Sequence, residues 1–199
     1  MSTTEPIRNT RNLRKFTDYY LVENPNRRNY TITVVCLNTA LRVNDVLHLT
    51  YDDVYENGQV RKHIVVRERK TGKENRILLN REATLALAKY HEELIETEMF
   101  KAGNPYLFPS PKKKNAPLSR SQAYRMITAA AKAVGLEGHI SCHSLRKTFG
   151  YHAWKQGHDP IVIMVIFNHS SLAVTKRYLC IEQDEKDDIY RRIYRHPVA

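Results

Sequence analysis

Along most of this chain, residues that cap helices stand just ahead of apolar residues spaced three and four apart, and a β-branched run interrupts the pattern once. Leu13, Phe16 and Tyr20 predict a helix over Thr10 to Val22, stopped by Asn24-Pro25. Tyr30, Val34, Leu37 and Leu41 predict a second, ending near Leu41 with Arg42 emerging from it. Asn44 is placed as the cap of a third, with Asp45 in its first turn, where a carboxylate suits the helix dipole. Val60 to Glu68 and Asn75 to Leu79, joined across Thr71-Gly72, predict a β-hairpin with a basic tip. Asn80 caps a long helix running to about Lys101. Gly103 to Pro117, with four prolines and Lys112-Lys113-Lys114, reads as a surface loop. Ser119 to Gln122 has capping-box spacing and opens a helix that Gly135 closes. Further helices are expected from about His143 to Lys155, from Asp159-Pro160 to near Phe167, after Ser171, and in a tail bearing Ile189 and Ile193. The expected fold is mainly α with a small antiparallel β-sheet (α+β).

The chain has 199 residues, which suits one domain with a sizeable core, and 42% hydrophobic with 27% charged residues excludes a disordered or fibrous class. Lys and Arg number 32 against 21 Asp and Glu, a formal charge of +11, so the simplest partner is a polyanion. No apolar run is long enough to span a membrane and the start lacks a secretory signal, so a cytoplasmic protein is expected. Cys36, Cys142 and Cys180 are odd in number and irregularly spaced, which favours reduced thiols over a disulfide framework.

Three segments carry more than helix punctuation: T-A-L-R-V-N-D-V at Thr39 to Val46, H-S-L-R-K-T-F at His143 to Phe149, and N-H-S-S-L-A-V-T-K-R-Y-L at Asn168 to Leu179. In order, with a lysine hairpin between the first two, they resemble the catalytic domain of the tyrosine recombinase (phage integrase) family over nearly the whole chain. The resemblance implies that fold and a catalytic set: Arg42 and Arg146 as the two arginines, His143 as the motif histidine, and His169 as the histidine of the Gly-His-Ser-Ser segment. It makes Lys70 the hairpin lysine, Tyr178 the nucleophile and Asp45 a supporting acid. Asn168 stands where that family usually has glycine; asparagine tolerates a left-handed turn. Ala40 also replaces a common glycine and is expected to need only helical geometry.

The residue types suit the chemistry. Rejoining a DNA strand without ATP requires an intermediate that keeps the phosphodiester energy, which a phosphotyrosine does. Two guanidiniums can clamp the charge that builds on the phosphate oxygens, and losing one such donor typically costs roughly 3 to 4 kcal/mol. The resemblance implies that Lys70 protonates the departing 5′-oxygen. No cofactor is expected and no metal, since no carboxylate cluster suits Mg²⁺ and the His139/His143 spacing lacks a second ligand pair. Blander readings are an Arg42–Asp45 ion pair, a solvated Lys70 turn shared with Lys73, a core Tyr178 and a core Trp154.

The expected activity is site-specific cleavage and rejoining of DNA through a covalent 3′-phosphotyrosyl intermediate. The alternatives are a non-catalytic DNA-binding regulator on the same scaffold and a type IB topoisomerase. The expected partner is double-stranded DNA, bound by a homotetramer that is monomeric when free, with no membrane. Residues 1–199 are expected to form a single catalytic domain without an N-terminal core-binding domain: residues 10–180 the core, and residues 181–199 a tail whose Ile189, Tyr190, Ile193 and Tyr194 dock on a neighbouring subunit.

Overall fold

Ten helices and two short hairpins are defined in a computed structural model that describes residues 4–97 and 104–192. The first helix, α1 (Thr10–Val22), has the expected limits and is capped by the Asn9 side chain. Next comes α2 (Arg27–Thr39), which packs against α1, α5 and α7 and is the central element of the fold. Ile32, Val35 and Cys36 on it are buried, and its threonines satisfy their hydroxyls on carbonyls one turn back: Thr33 on Asn29, Thr39 on Val35.

The junction after α2 departs from expectation. The helix stops at Thr39 and Ala40 takes a left-handed conformation, φ 56°, where only helical geometry was expected. Arg42, extended at φ −69° and ψ 142°, is then the N-cap residue of α3 (Val43–Leu47), so Asn44 lies inside that helix rather than capping it. The cause lies elsewhere in the chain: the Ala40 carbonyl is turned towards Arg146, which donates to it.

A one-turn helix, α4 (Tyr51–Val54), held by a Thr50/Asp53 capping box, leads into the small hairpin β1 (Tyr55–Glu56) and β2 (Gln59–Val60). The larger hairpin pairs β3 (His63–Arg67) antiparallel with β4 (Glu74–Leu78) in the register Val65 to Arg76. There are thus two two-stranded sheets among the described residues instead of one. Asn80 caps α5 (Arg81–Glu96) as expected; the stretch from 98 to 103, including Lys101, lies outside the described residues. In the proline-rich loop Lys112 to Lys114 are exposed, but Leu107 and Phe108 are core residues, pinned by the Leu107 N–H on the Leu49 carbonyl.

The capping box at Ser119 and Gln122 opens α6 (Arg120–Ala133), and α7 (Cys142–Lys155) follows. Asp159 with Pro160 at the first position starts α8 (Pro160–Ile166), Ser171 caps α9 (Leu172–Leu179), and α10 is Glu182–Arg192. Most of the apolar interior is one cluster around α2, α5 and α6; a second gathers Tyr151, Ile163, Phe167, Leu179 and Ile181. At Gly150, on α7, an added Cβ would lie 2.5 Å from Leu179 and 2.6 Å from Phe167, so glycine is what lets α7 and α9 close on each other. Half-buried Trp154 packs against this second cluster.

Candidate active site

Three motifs far apart in sequence meet at Arg146. Its side chain is buried on α7, one Nη donates to the Ala40 carbonyl at 2.6 Å, and the other donates to the Phe167 carbonyl at 2.7 Å. Those carbonyls precede Leu41-Arg42 and Asn168-His169, so one guanidinium fixes both turns relative to α7. The Phe167 ring lies under it, 4.6 Å from its central carbon, adding a cation–π contact. Two of its five N–H donors are committed to these carbonyls, which leaves three for an anion.

Each turn has a left-handed residue, Ala40 at φ 56° and Asn168 at φ 52°. For Asn168 this is what the sequence allowed. His169 then projects from the turn with its Nδ1 hydrogen-bonded to Thr175 at 3.1 Å. Its ring meets the edge of Tyr178, centroids 5.0 Å apart, and Phe167 packs edge-on against both rings. Lys147 stands behind the nucleophile candidate: buried, it donates to the Thr4 carbonyl at 2.6 Å and lies 5.2 Å from the Tyr178 ring centroid.

Arg42 is the more accessible arginine, its side chain 19% exposed, and it ion-pairs with the fully buried Glu68 rather than with Asp45. Asp45 is itself buried; one oxygen accepts from the Arg69 N–H at 3.0 Å, underpinning the hairpin turn, and the other has no hydrogen-bond partner among the described residues. Lys70 is exposed in that turn, near enough to His169 to act on its ionisation.

Burial, more than the crowding of cations, sets the protonation states. Burial, reinforced by Arg146, Arg42 and Lys70, lowers the His169 imidazole to about 4 despite the opposing charge of Glu68. Burial also lowers His143, and Arg120, Lys147, Arg146 and Arg42 add to it. Both are neutral near pH 7 and able to take a proton. Burial raises the Tyr178 phenol against the opposing pull of Arg146 and Arg42, so the resting hydroxyl keeps its proton. For Glu68, burial alone would raise the carboxyl; hydrogen bonds from Arg42 and Asn168, the Arg42 charge and Thr71 reverse this and hold it below its ordinary value.

The structure therefore brings together Arg42, His143, Arg146, His169 and Tyr178, sets Lys70 at the rim, and places Asp45 beneath the hairpin. Glu68, Phe167 and Lys147 were not singled out from the sequence. Among the described residues no group of three or more His, Cys, Asp or Glu side chains is placed to hold a metal ion.

In fold this is a tyrosine recombinase catalytic domain: the architecture matches the solved structure of XerH site-specific recombinase bound to palindromic difH substrate, a post-cleavage complex. The TM-score is 0.73 over 96% of this chain and 54% of that one, at 21% identity. The sequence model described as "Phage integrase family" matches residues 10–185, and the chain belongs to that family. It is 36% identical over 191 residues to "Probable integrase/recombinase YoeC" of Bacillus subtilis (strain 168), covering 96% of this chain and 97% of that protein. It is 27% identical over 174 residues to "Tyrosine recombinase XerD" of Corynebacterium glutamicum, covering 86% of this chain but only 54%, about half, of that protein.

Proposed function

We propose that the chain is a site-specific DNA strand transferase that uses Tyr178 as its nucleophile. The convergence of Tyr178, two arginines and two neutral histidines in one cationic pocket carries the reading. The phenol oxygen attacks a phosphodiester, its proton passing to a neutral imidazole, and a 3′-phosphotyrosyl bond forms as the bond to the 5′-oxygen breaks. Lys70 on the hairpin gives that oxygen a proton. Arg42 and the free donors of Arg146 take up the charge that grows on the phosphate, where each donor is worth roughly 3 to 4 kcal/mol in the transition state. Attack by a second 5′-hydroxyl reverses these steps and joins a new strand, with the Tyr178 phenol, a better leaving group than a sugar hydroxyl, departing.

The substrate is double-stranded DNA, which matches the basic charge and the palindromic substrate named for XerH. Assembly as a homotetramer on two duplexes is supported by α10, which leaves Ile189 and Tyr190 at 60% and 79% exposure. The first turn of α10 is held by its own chain, through Arg8 to Asp184 at 2.7 Å; Ile193 and Tyr194 lie outside the described residues. Residues 10–180 act as the catalytic unit and residues 181–199 as the docking tail. A cytoplasmic location is proposed from the DNA substrate. Among the described residues no helix is long and apolar enough to cross a membrane.

The test is adduct trapping on fragmented chromosomal DNA of the source organism, stopped with detergent and sequenced. A protein–DNA adduct confined to one or a few sites, mapped to Tyr178 and lost in Tyr178→Phe, is expected. Sequence-specific binding without any adduct would replace this reading with the DNA-binding regulator, and adducts spread without site preference would favour a topoisomerase.

A further inference from the structure

Glu68 is fully buried, yet its two oxygens serve three parts of the site. Oε2 pairs with Arg42 and accepts from the Thr71 hydroxyl at 3.0 Å, next in sequence to Lys70. Oε1 accepts from the Asn168 side chain at 3.0 Å, in the turn that presents His169. The backbone closes the same ring: the Glu68 N–H donates to the Lys73 carbonyl and the Gly72 N–H to the Glu68 carbonyl, both at 2.8 Å. A left-handed turn at 168 needs no side chain, so the Asn168 amide has a separate use here, as the donor that satisfies the second oxygen of a buried carboxylate. Leaving such a group unpaired is costly, because nothing then offsets its removal from water.

We propose that Glu68 is a positioning residue that locks the Lys70 hairpin to the arginine pocket, with Thr71 and Asn168 as its two side-chain arms. Without the carboxylate the turn at residues 69–71 keeps its backbone bonds and the Asp45 contact to the Arg69 N–H but loses its tie to the arginine pocket, and Lys70 spends less of its time at the departing oxygen. The ion pair also aims Arg42: with one face of the guanidinium held by Glu68, the other is left for the phosphate. This inference rests on the strand-transfer reading for its chemistry, though the lock itself is a property of the free protein.

The experiment compares wild type, Thr71→Val and Glu68→Gln on two suicide duplexes built on the site recovered by adduct trapping. One has the ordinary 5′-oxygen at the scissile bond and the other a bridging 5′-sulfur, which leaves as thiolate and needs no proton. Thr71→Val keeps the side-chain shape and deletes only the hydroxyl arm, so it separates positioning from folding. On the oxygen substrate it is expected to slow adduct formation about tenfold to a hundredfold, part of the full value of a general acid. On the sulfur substrate it should approach wild type. Glu68→Gln, which also loosens Arg42, should be slower on both and recover only in part.

Equal slowing of Thr71→Val on both substrates, or no slowing on either, would overturn the assignment while leaving the strand-transferase reading intact. Trypsin nicking at Arg69, Lys70 and Lys73 in the free proteins gives an activity-independent readout: the hairpin should be cut faster in both variants than in wild type. If wild type forms no adduct on any DNA, the functional reading fails, and the nicking rates alone decide whether the lock exists.

Discussion

Arg146 and Arg42 carry the same group into the same pocket and are held in opposite ways. Arg146 is buried and bonded to two backbone carbonyls, an arrangement that cannot change unless the turns at Ala40 and Phe167 move with it. Arg42 is partly exposed and bonded to one carboxylate, Glu68, which belongs to the hairpin. The first is part of the framework as much as of the site. The second is tuned by a side chain that also touches the turn next to Lys70. An enzyme that must grip a phosphate and let it go has reason to keep one donor fixed and the other adjustable.

Conservative replacement of each arginine should separate the two roles most sharply. Lysine at 146 can reach one carbonyl at best, leaving the other buried and unpaired, so Arg146→Lys should lose about 1 to 3 kcal/mol of stability in urea denaturation. Its rate of adduct formation should fall about 10²- to 10³-fold. Lysine at 42 still carries a positive charge for Glu68. Arg42→Lys should therefore lose a comparable factor in rate with well under half the stability loss, because the paired geometry on phosphate goes while the framework stays. A stability loss at 42 as large as that at 146 would show that the two arginines do not divide the work in this way.

A smaller effect should appear in the acid range. His169 titrates at about 4 in the folded chain and His143 is lowered too, against about 6.5 for free imidazole. Between these values the unfolded chain binds protons that the folded site refuses, so stability is complete above about pH 6.5 and declines as pH falls towards 4. Glu68, whose pKa is depressed, loses its contribution only as pH falls further, below the ordinary carboxylate value. The His169 titration, followed by proton NMR, should move upward in Arg42→Gln, since one of the cations opposing its charge is gone. No movement would mean that burial, Arg146 and Lys70 account for the neutral imidazole without Arg42.

Much of the site was legible because its chemistry depends on spacing along helices. His143 and Arg146 sit at i and i+3 on α7, and Tyr178 follows His169 on a helix that Ser171 caps. Glu68 was legible in principle: Ile64 and Val66 face inward, Val65 and Arg67 outward, and the same alternation turns Glu68 inward. Against that, a lone acid in a basic hairpin reads as a solvated charge. The β1–β2 hairpin had a signal too, in Asn57-Gly58, whose φ of 51° and 76° fit the tight turn that this pair favours. Ala40 had one only through the family resemblance, which commonly has glycine there; alanine is the strongest helix former and nothing local forbids the helix from continuing. The demand comes from Arg146, 106 residues away, which needs a carbonyl where a continuing helix would have used it internally.

The two left-handed turns that feed Arg146 give the smallest and most pointed test, because glycine should act with opposite sign in them. A non-glycine residue in this conformation costs about 1 to 2 kcal/mol. Ala40 has no side-chain bond to set against that cost, so Ala40→Gly should raise stability by up to about 1 kcal/mol after the greater entropy of the unfolded glycine is deducted. Asn168 offsets the cost through its bond to Glu68, and Asn168→Gly relieves the backbone while leaving a buried carboxylate oxygen without its donor. The net change there should be a loss, or at most no gain, as read from urea midpoints of the two variants side by side. A gain of equal size at both positions would mean that Asn168 serves its backbone alone, and that the Glu68 lock draws nothing from that arm.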